Sequence, residues 1–447
     1  MGEVHVPAGA AYGAQTQRAV ENFPISGLRF PRAFIRALGL IKSAAARVNG
    51  ELGQLPADLA ASIAKAADAV AAGDHDDQFV VDIFQTGSGT STNMNANEVI
   101  GHLAGAHPNN HVNRGQSSND VFPSAIHIAA AASANEVLLP AMAELSTALN
   151  AKATEFADVI KIGRTHLQDA VPMTLGQEFS GYASQVEHCS ERIKAALDGI
   201  YELPFGGTAI GTGLNALPGF APAVIADIAA RTGLPFREAT NHFEAQAAKD
   251  AISFFSGALK TYAVALTKIA NDARLLAAFG EIRLPATQPG SSIMPGKVNP
   301  VIAESLLMAC AQVIGYDSTI TWCCAAGNLE LNVMMPVMAY DLLESIALLA
   351  AVSGNFSRRA IAGLQADRDR ASAFVEQSLA MCTVLAPVIG YEKAAAIAKE
   401  AYRSGRTVRE VARESSGIPE ERLNQLLDPR GQTGSQLAAL PLRELPR

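Results

Sequence analysis

Beyond residue 121 the apolar positions recur with a 3.6-residue spacing in Ala-, Leu- and Ile-rich runs. β-Branched alternation is scarce, so the pattern predicts helices rather than strands. Long helices are expected at about 121–159, with a bend at Pro140, and at 175–200, 244–279, 300–321 and 328–352. Such lengths, without heptad charges, suit a helical bundle better than a coiled coil. The first hundred residues carry shorter amphipathic runs punctuated by Gly and Pro, such as 57–72, which ends at Gly73. After Gly363 charge density rises with Asp367, Arg368, Asp369 and Arg370. The chain therefore reads as all-α, in three parts: a mainly helical N-terminal domain (1–115), a central long-helix bundle (116–363) and a small C-terminal helical domain (364–447). The Ala-rich faces are broader than one chain would cover, and self-association is expected.

Composition narrows the function classes. With 49% hydrophobic and 17% charged residues over 447 positions, the chain is globular and long enough to bury a large core without disulfides. Its net charge of −8 gives no basic footprint for nucleic acid or an anionic membrane. An anionic ligand would need a local positive site against that field. Five cysteines, with no C-x-x-C pair, point to a reducing cytosol. The N-terminus carries no basic and apolar signal pattern, so a cytoplasmic location is expected. The longest uncharged stretch, 203–226, is broken by Pro204, Gly206, Gly207, Gly211, Gly213, Pro218 and Pro222, which rules it out as a membrane helix.

Three tempting motifs fail. Gly211-x-Gly213-x-x-Ala216 fits the dinucleotide fingerprint, but it lacks a preceding strand and a following acidic residue, and Pro218 interrupts the helix it should open. Gly290 to Lys297 has the wrong spacing for a phosphate loop, and Val298 stands where Ser or Thr is needed. His107 and His111 have the i, i+4 spacing of metal ligands, yet Pro108, Asn109 and Asn110 between them favour a loop. No metal and no cofactor is expected.

Four segments are rich in hydroxyl, amide and glycine residues within an apolar chain. They are Thr86-Gly-Ser88-Gly-Thr90-Ser-Thr-Asn93-Met-Asn95, Gln116-Ser117-Ser118-Asn119-Asp120, Gly163-Arg164-Thr165-His166-Leu-Gln168-Asp169, and Gly290-Ser291-Ser292-Ile-Met294-Pro-Gly296-Lys297-Val-Asn299-Pro300. Each precedes an expected helix, so helix capping explains any one of them as well as function does. Together they offer neutral donors, one lysine and one histidine, which is what holding a small dicarboxylate requires. In the fourth, Lys297 stands just before a helix start, where the dipole repels a cation unless an anion lies between. An ordinary surface lysine remains the alternative.

Gly290-Ser-Ser-Ile-Met-Pro-Gly-Lys-Val-Asn-Pro300 resembles the signature of the fumarase/aspartase superfamily, and the other three segments are similar to that family's blocks in the same order. Gly13-Ala-Gln-Thr-Gln-Arg18, Gly206-Gly-Thr to Gly213-Leu-Asn215 and Lys268-Ile-Ala-Asn-Asp272 match as well, so the resemblance covers nearly the whole chain. It is closest to the class II fumarases. The resemblance implies a homotetramer with a 20-helix core and active sites shared between subunits. It also implies reversible, cofactor-free anti-addition of water to fumarate, giving (S)-malate through an aci-carboxylate intermediate. Carried over by residue, Ser291 is the base at C3 and Lys297 and Asn299 hold the aci-carboxylate. Ser88, Thr90, Ser117, Ser118, Asn119 and Thr165 bind substrate, and His166 paired with Glu304 activates the water. Elementary chemistry agrees, because a proton α to a carboxylate is weakly acidic and its removal needs a stabilised dianion and an activated serine.

The chain departs from the family pattern in three places, one of them a short segment between Val99 and His107. Phe279-Gly280-Glu281 follows Arg274-Leu-Leu-Ala-Ala directly, without the family's Ser-Gly-Pro-Arg. In the peripheral anion site, Asn110 follows His107-Pro108-Asn109 where the family has Asp. Aspartate ammonia-lyase, or another C4-dicarboxylate lyase of the same superfamily, is the alternative, because Ser91-Thr92-Asn93-Met94-Asn95 and Ala170-Val-Pro-Met173 are similar to aspartases. A crystallin-like protein of the lyase fold, without catalysis, is a second alternative.

Overall fold

A computed structural model describes residues 2–434. Helices make up 66% of it, with 17 α-helices among the described residues, so the all-α reading holds. Helix Ala57–Ala72 ends at Gly73, whose φ of 104° only glycine adopts freely. Leu175–Ile200 has the expected bounds.

The other long helices differ in detail. Ser118–Ser133 and Leu139–Glu155 are joined by the π-helical turn Ala134–Leu138. Pro140, which cannot donate to the carbonyl four residues back, therefore meets a local change of winding just before it. The run expected at 244–279 is two helices, His242–Ala247 and Asp250–Phe279, parted at Ala248. There the ammonium of the buried Lys249 donates to the carbonyls of Ala245, Gln246 and Ala248. Val301–Cys324 begins close to expectation. Met335–Phe356 starts later than expected because Gly327–Asn328 and Leu331–Asn332 pair as a small hairpin.

The described residues cluster into two compact units. One draws on 2–142, 188–264 and 308–352, the other on 143–187, 265–307 and 353–434. Residues 435–447, the end of the expected C-terminal domain, lie outside the described residues. In the first unit Arg32–Glu51 packs on Ala57–Ala72 and Ser118–Ser133, around a cluster in which the rings of Phe30 and Phe34 lie 4.4 Å apart and those of Phe34 and Phe122 4.8 Å apart. In the second, Ile162 joins Val375, Leu385, Ile397, Val411 and Leu423 in one apolar cluster. Among the described residues, Ser118–Glu155 and Met335–Ile361 are long and apolar enough to cross a membrane, by length and composition, yet 61% of each apolar window is buried within the structure.

Candidate active site

The first two segments lie in the first unit. Ser117 caps Ser118–Ser133 in a capping box with Asp120, so the capping explanation applies here, and the cap itself places Ser118 and Asn119 in the first turn. Two further backbone groups, the N–H of Gly206 and of Thr208, donate to Asp120 Oδ2 at 3.1 and 2.9 Å. Burial raises the Asp120 carboxyl above its ordinary range, opposed by these donors and by Lys42. Asn119 Nδ2 donates to the Ala209 carbonyl at 2.8 Å, which leaves its amide oxygen for other partners. The segments touch through Asn93, whose Nδ2 lies 3.1 Å from Ser118 Oγ. Ser88 and Thr90 share a hydrogen bond of 2.8 Å. Between them Gly89 has φ of 73°, and a Cβ there would fall 2.0 Å from the Phe122 ring, so only glycine brings this loop so close.

The third segment is not a helix-capping element. Ile160–Thr165 and Gln168–Thr174 form an antiparallel hairpin with Thr165 opposite Gln168, and His166 and Leu167 are its two turn residues. Their φ values of 55° and 58° lie in a region that suits Gly or Asn. The turn stores strain and leaves the His166 ring exposed. Arg164 anchors it: the guanidinium donates to the buried Glu281 at 2.7 Å and lies 4.5 Å from the Phe279 ring centre and 5.3 Å from that of Phe374. The shortened Phe279-Gly280-Glu281 turn thus supplies both a carboxylate and a ring to the hairpin's support.

The fourth segment closes on itself. Gly290 N–H donates to the Lys297 carbonyl at 2.7 Å, and Asn299 Nδ2 donates to the Gly290 carbonyl at 2.8 Å. Inside this loop Ser291 Oγ accepts the backbone N–H groups of Ile293 and Met294 at 3.2 and 3.0 Å. Two N–H dipoles on one hydroxyl oxygen favour its anionic form. Lys297 is exposed, and Glu304 lies in the first turn of the helix that follows. Among the described residues no hydrogen bond or ion pair joins His166 to Glu304 within the chain.

The family model described as Lyase matches residues 2–315, and that described as Fumarase C C-terminus matches 381–433. "Fumarate hydratase class II 1" of Pseudomonas aeruginosa is 52% identical over 446 residues, with 96% of each chain covered. "Fumarate hydratase class II" of Mycobacterium tuberculosis is 55% identical over 421 residues, covering 92% of this chain and 89% of its own. The chain belongs to the class II fumarase family.

Solved structures agree with this membership. A class II fumarase from Schistosoma mansoni superposes with a TM-score of 0.93 at 39% identity, covering 96% of both chains. A fumarate lyase:delta crystallin from Brucella melitensis, bound to cobalt, gives 0.91 at 45% identity and covers 98% of this chain and 97% of its own. Among the described residues of this class II fumarase family member, no group of three or more His, Cys, Asp or Glu side chains could hold a metal ion.

His107, Asn109 and Asn110 are not in a loop but at the π-helical turn Pro108–Val112. His107 Nδ1 accepts the N–H groups of Asn109 and Asn110 at 3.2 and 3.1 Å, and His111 Nδ1 accepts the N–H of His107 at 3.0 Å. These histidines are therefore engaged in shaping their own turn. Sequence reasoning passed over Lys42, which is fully buried beside the second segment. Its signal was there: a cation on the stripe of Phe34, Leu38, Ile41 and Ala45, all buried apolar positions.

Proposed function

We propose that this family member hydrates fumarate reversibly to (S)-malate, and that Ser291 is the base. The observation that carries the reading is the Ser291 hydroxyl oxygen, held by two backbone N–H groups within a glycine-hinged loop that ends in Lys297 and Asn299. In the malate-to-fumarate direction Ser291 takes the C3 proton. The pair of electrons left behind moves into the adjacent carboxylate, and Lys297 and Asn299 offset its second negative charge. His166, paired with Glu304, holds the water that leaves C2 and in the reverse direction activates it. Ser88, Thr90, Ser117, Ser118, Asn119 and Thr165 donate to the substrate carboxylates.

The site is completed in a homotetramer, each centre drawing on more than one chain. Exposed apolar side chains support assembly: Phe254 and Val264 on Asp250–Phe279, and Met308, Ile314 and Trp322 on Val301–Cys324. In this reading the long apolar helices are bundle helices rather than membrane spans, and the enzyme works in the cytoplasm without metal or cofactor. The three-part division at 115 and 363 is kept as part of the proposal.

Aspartate ammonia-lyase remains the alternative substrate reading. The aspartase-like block argues little for it, because Thr92, Asn93 and Asn95 are buried and bonded within the fold, with Thr92 held by Gln85 and Asn95 by the Gln78 carbonyl. The test follows the ultraviolet absorbance of the fumarate double bond after adding malate or aspartate to the purified protein. Absorbance growing faster from aspartate than from malate would refute the hydratase reading.

A further inference from the structure

Lys42 has no solvent exposure, and among the described residues its ammonium forms no salt bridge. It donates to two amide oxygens, Asn113 Oδ1 and Gln116 Oε1, both at 2.9 Å. An ammonium can only donate, so both amides must turn their oxygens toward it. Asn113 Oδ1 then also accepts from Asn97 Nδ2 at 3.2 Å and Asn93 Nδ2 at 3.3 Å. That fixes Asn93 with its NH2 inward, and the same NH2 donates to Ser118 Oγ at 3.1 Å. Ser118 is thereby an acceptor on its protein side, and its one O–H proton is left for another partner. A buried lysine is costly: desolvation pushes its pKa down to about 7, with Asp120 acting against the shift. Methionine would fill the same space without that cost, so the charge itself needs a reason.

We propose that Lys42 is a positioning residue for substrate binding, acting through Asn113 and Asn93 to aim the Ser118 hydroxyl proton at a substrate carboxylate. The inference rests on the reading of Ser118 as a substrate donor. Without the ammonium the amides of Asn113 and Asn93 are free to flip, and Asn93 can then present its oxygen to Ser118 and draw the hydroxyl proton inward.

The experiment measures kcat and KM for fumarate hydration in Ser118→Ala, Lys42→Met, Asn93→Ala and the double variants with Ser118→Ala, on assembled protein. Loss of one hydrogen bond to a charged group predicts that each single variant raises KM roughly tenfold with kcat nearly unchanged. It also predicts that Lys42→Met and Asn93→Ala add nothing once Ser118 is alanine. Should Lys42→Met fail to fold, Asn93→Ala cuts the same relay without emptying the lysine site. If Ser118→Ala raises KM but the other two leave it unchanged, or multiply with it in the double variants, the relay is refuted while the site reading stands. If Ser118→Ala itself leaves KM unchanged, the site reading fails and takes the relay with it.

Discussion

Asp341 sits on Met335–Phe356 with 6% of its surface exposed, and its carboxylate has no hydrogen-bond partner among the described residues. Burial, and then the like charge of Glu344 one turn along, push its pKa from 3.8 to about 7. The sign of the linkage follows directly. The unfolded chain releases this proton at the ordinary carboxylate pKa, whereas the folded chain holds it to near neutrality, so folding grows less favourable as pH rises between the two values. The cost is absent below the unfolded pKa and complete above the folded one. At 1.36 kcal/mol per unit it amounts to about 1.5 kcal/mol near pH 5 and about 4 kcal/mol at pH 8.

Asp341→Asn keeps the shape and removes the ionisation. Its stability relative to the parent should therefore grow by about 2–3 kcal/mol between pH 5 and pH 8. Any constant difference between amide and carboxylic acid cancels in that comparison. The measurement is urea unfolding of both proteins at the two pH values and one fixed protomer concentration, since an oligomer's apparent stability depends on concentration. A gap that stays level, or narrows as pH rises, refutes the argument, because it would mean that Asp341 is solvated or paired with a cation in the assembled protein.

Ser291→Ala is expected to lower kcat by several orders of magnitude with little change in KM, as measured by steady-state malate dehydration, because a base acts in the transition state. Lys297→Met should damage kcat and KM together, since in the proposed mechanism the lysine meets the carboxylate before the reaction and the dianion during it. Mixing Ser291→Ala with His166→Asn subunits, followed by dissociation and reassembly, should restore part of the activity if one site draws on different chains. Confirmed subunit exchange without recovery would place both residues in one chain's site.

Where the sequence was legible, local signals and tertiary packing agreed. Helix 57–72 has an apolar face and a glycine past its last turn, and 175–200 carries an unbroken 3.6-residue pattern. The break at Ala248 was hidden because the apolar spacing runs through it, while Lys249, a good helix former by propensity, spends its ammonium on the carbonyls of the preceding turn. The late start of Met335–Phe356 was hidden for a similar reason, since the hairpin before it turns at Leu329, a non-glycine residue at φ of 53°. The chemical segments were visible from their composition, but their partners were not. Glu281 and Arg164 lie 117 positions apart, and no spacing rule joins them.

The His166 hairpin shows why that limit is physical. Its two turn positions call for glycine or asparagine, and the chain places histidine and leucine there, so propensity argues against the turn that forms. Something outside the turn must hold it, and Arg164, paired with the buried Glu281 and lying between two aromatic rings, is placed to do so. A turn stabilised by its own residues would need no such anchor. The clamp holds the backbone at His166, which limits where its exposed ring can reach, as the proton-transfer role proposed for it requires. The same conflict between local preference and observed conformation that conceals the hairpin from sequence reasoning fits the role proposed for His166, and Lys42, a charge where the helix pattern calls for an apolar side chain, repeats that conflict beside Ser118.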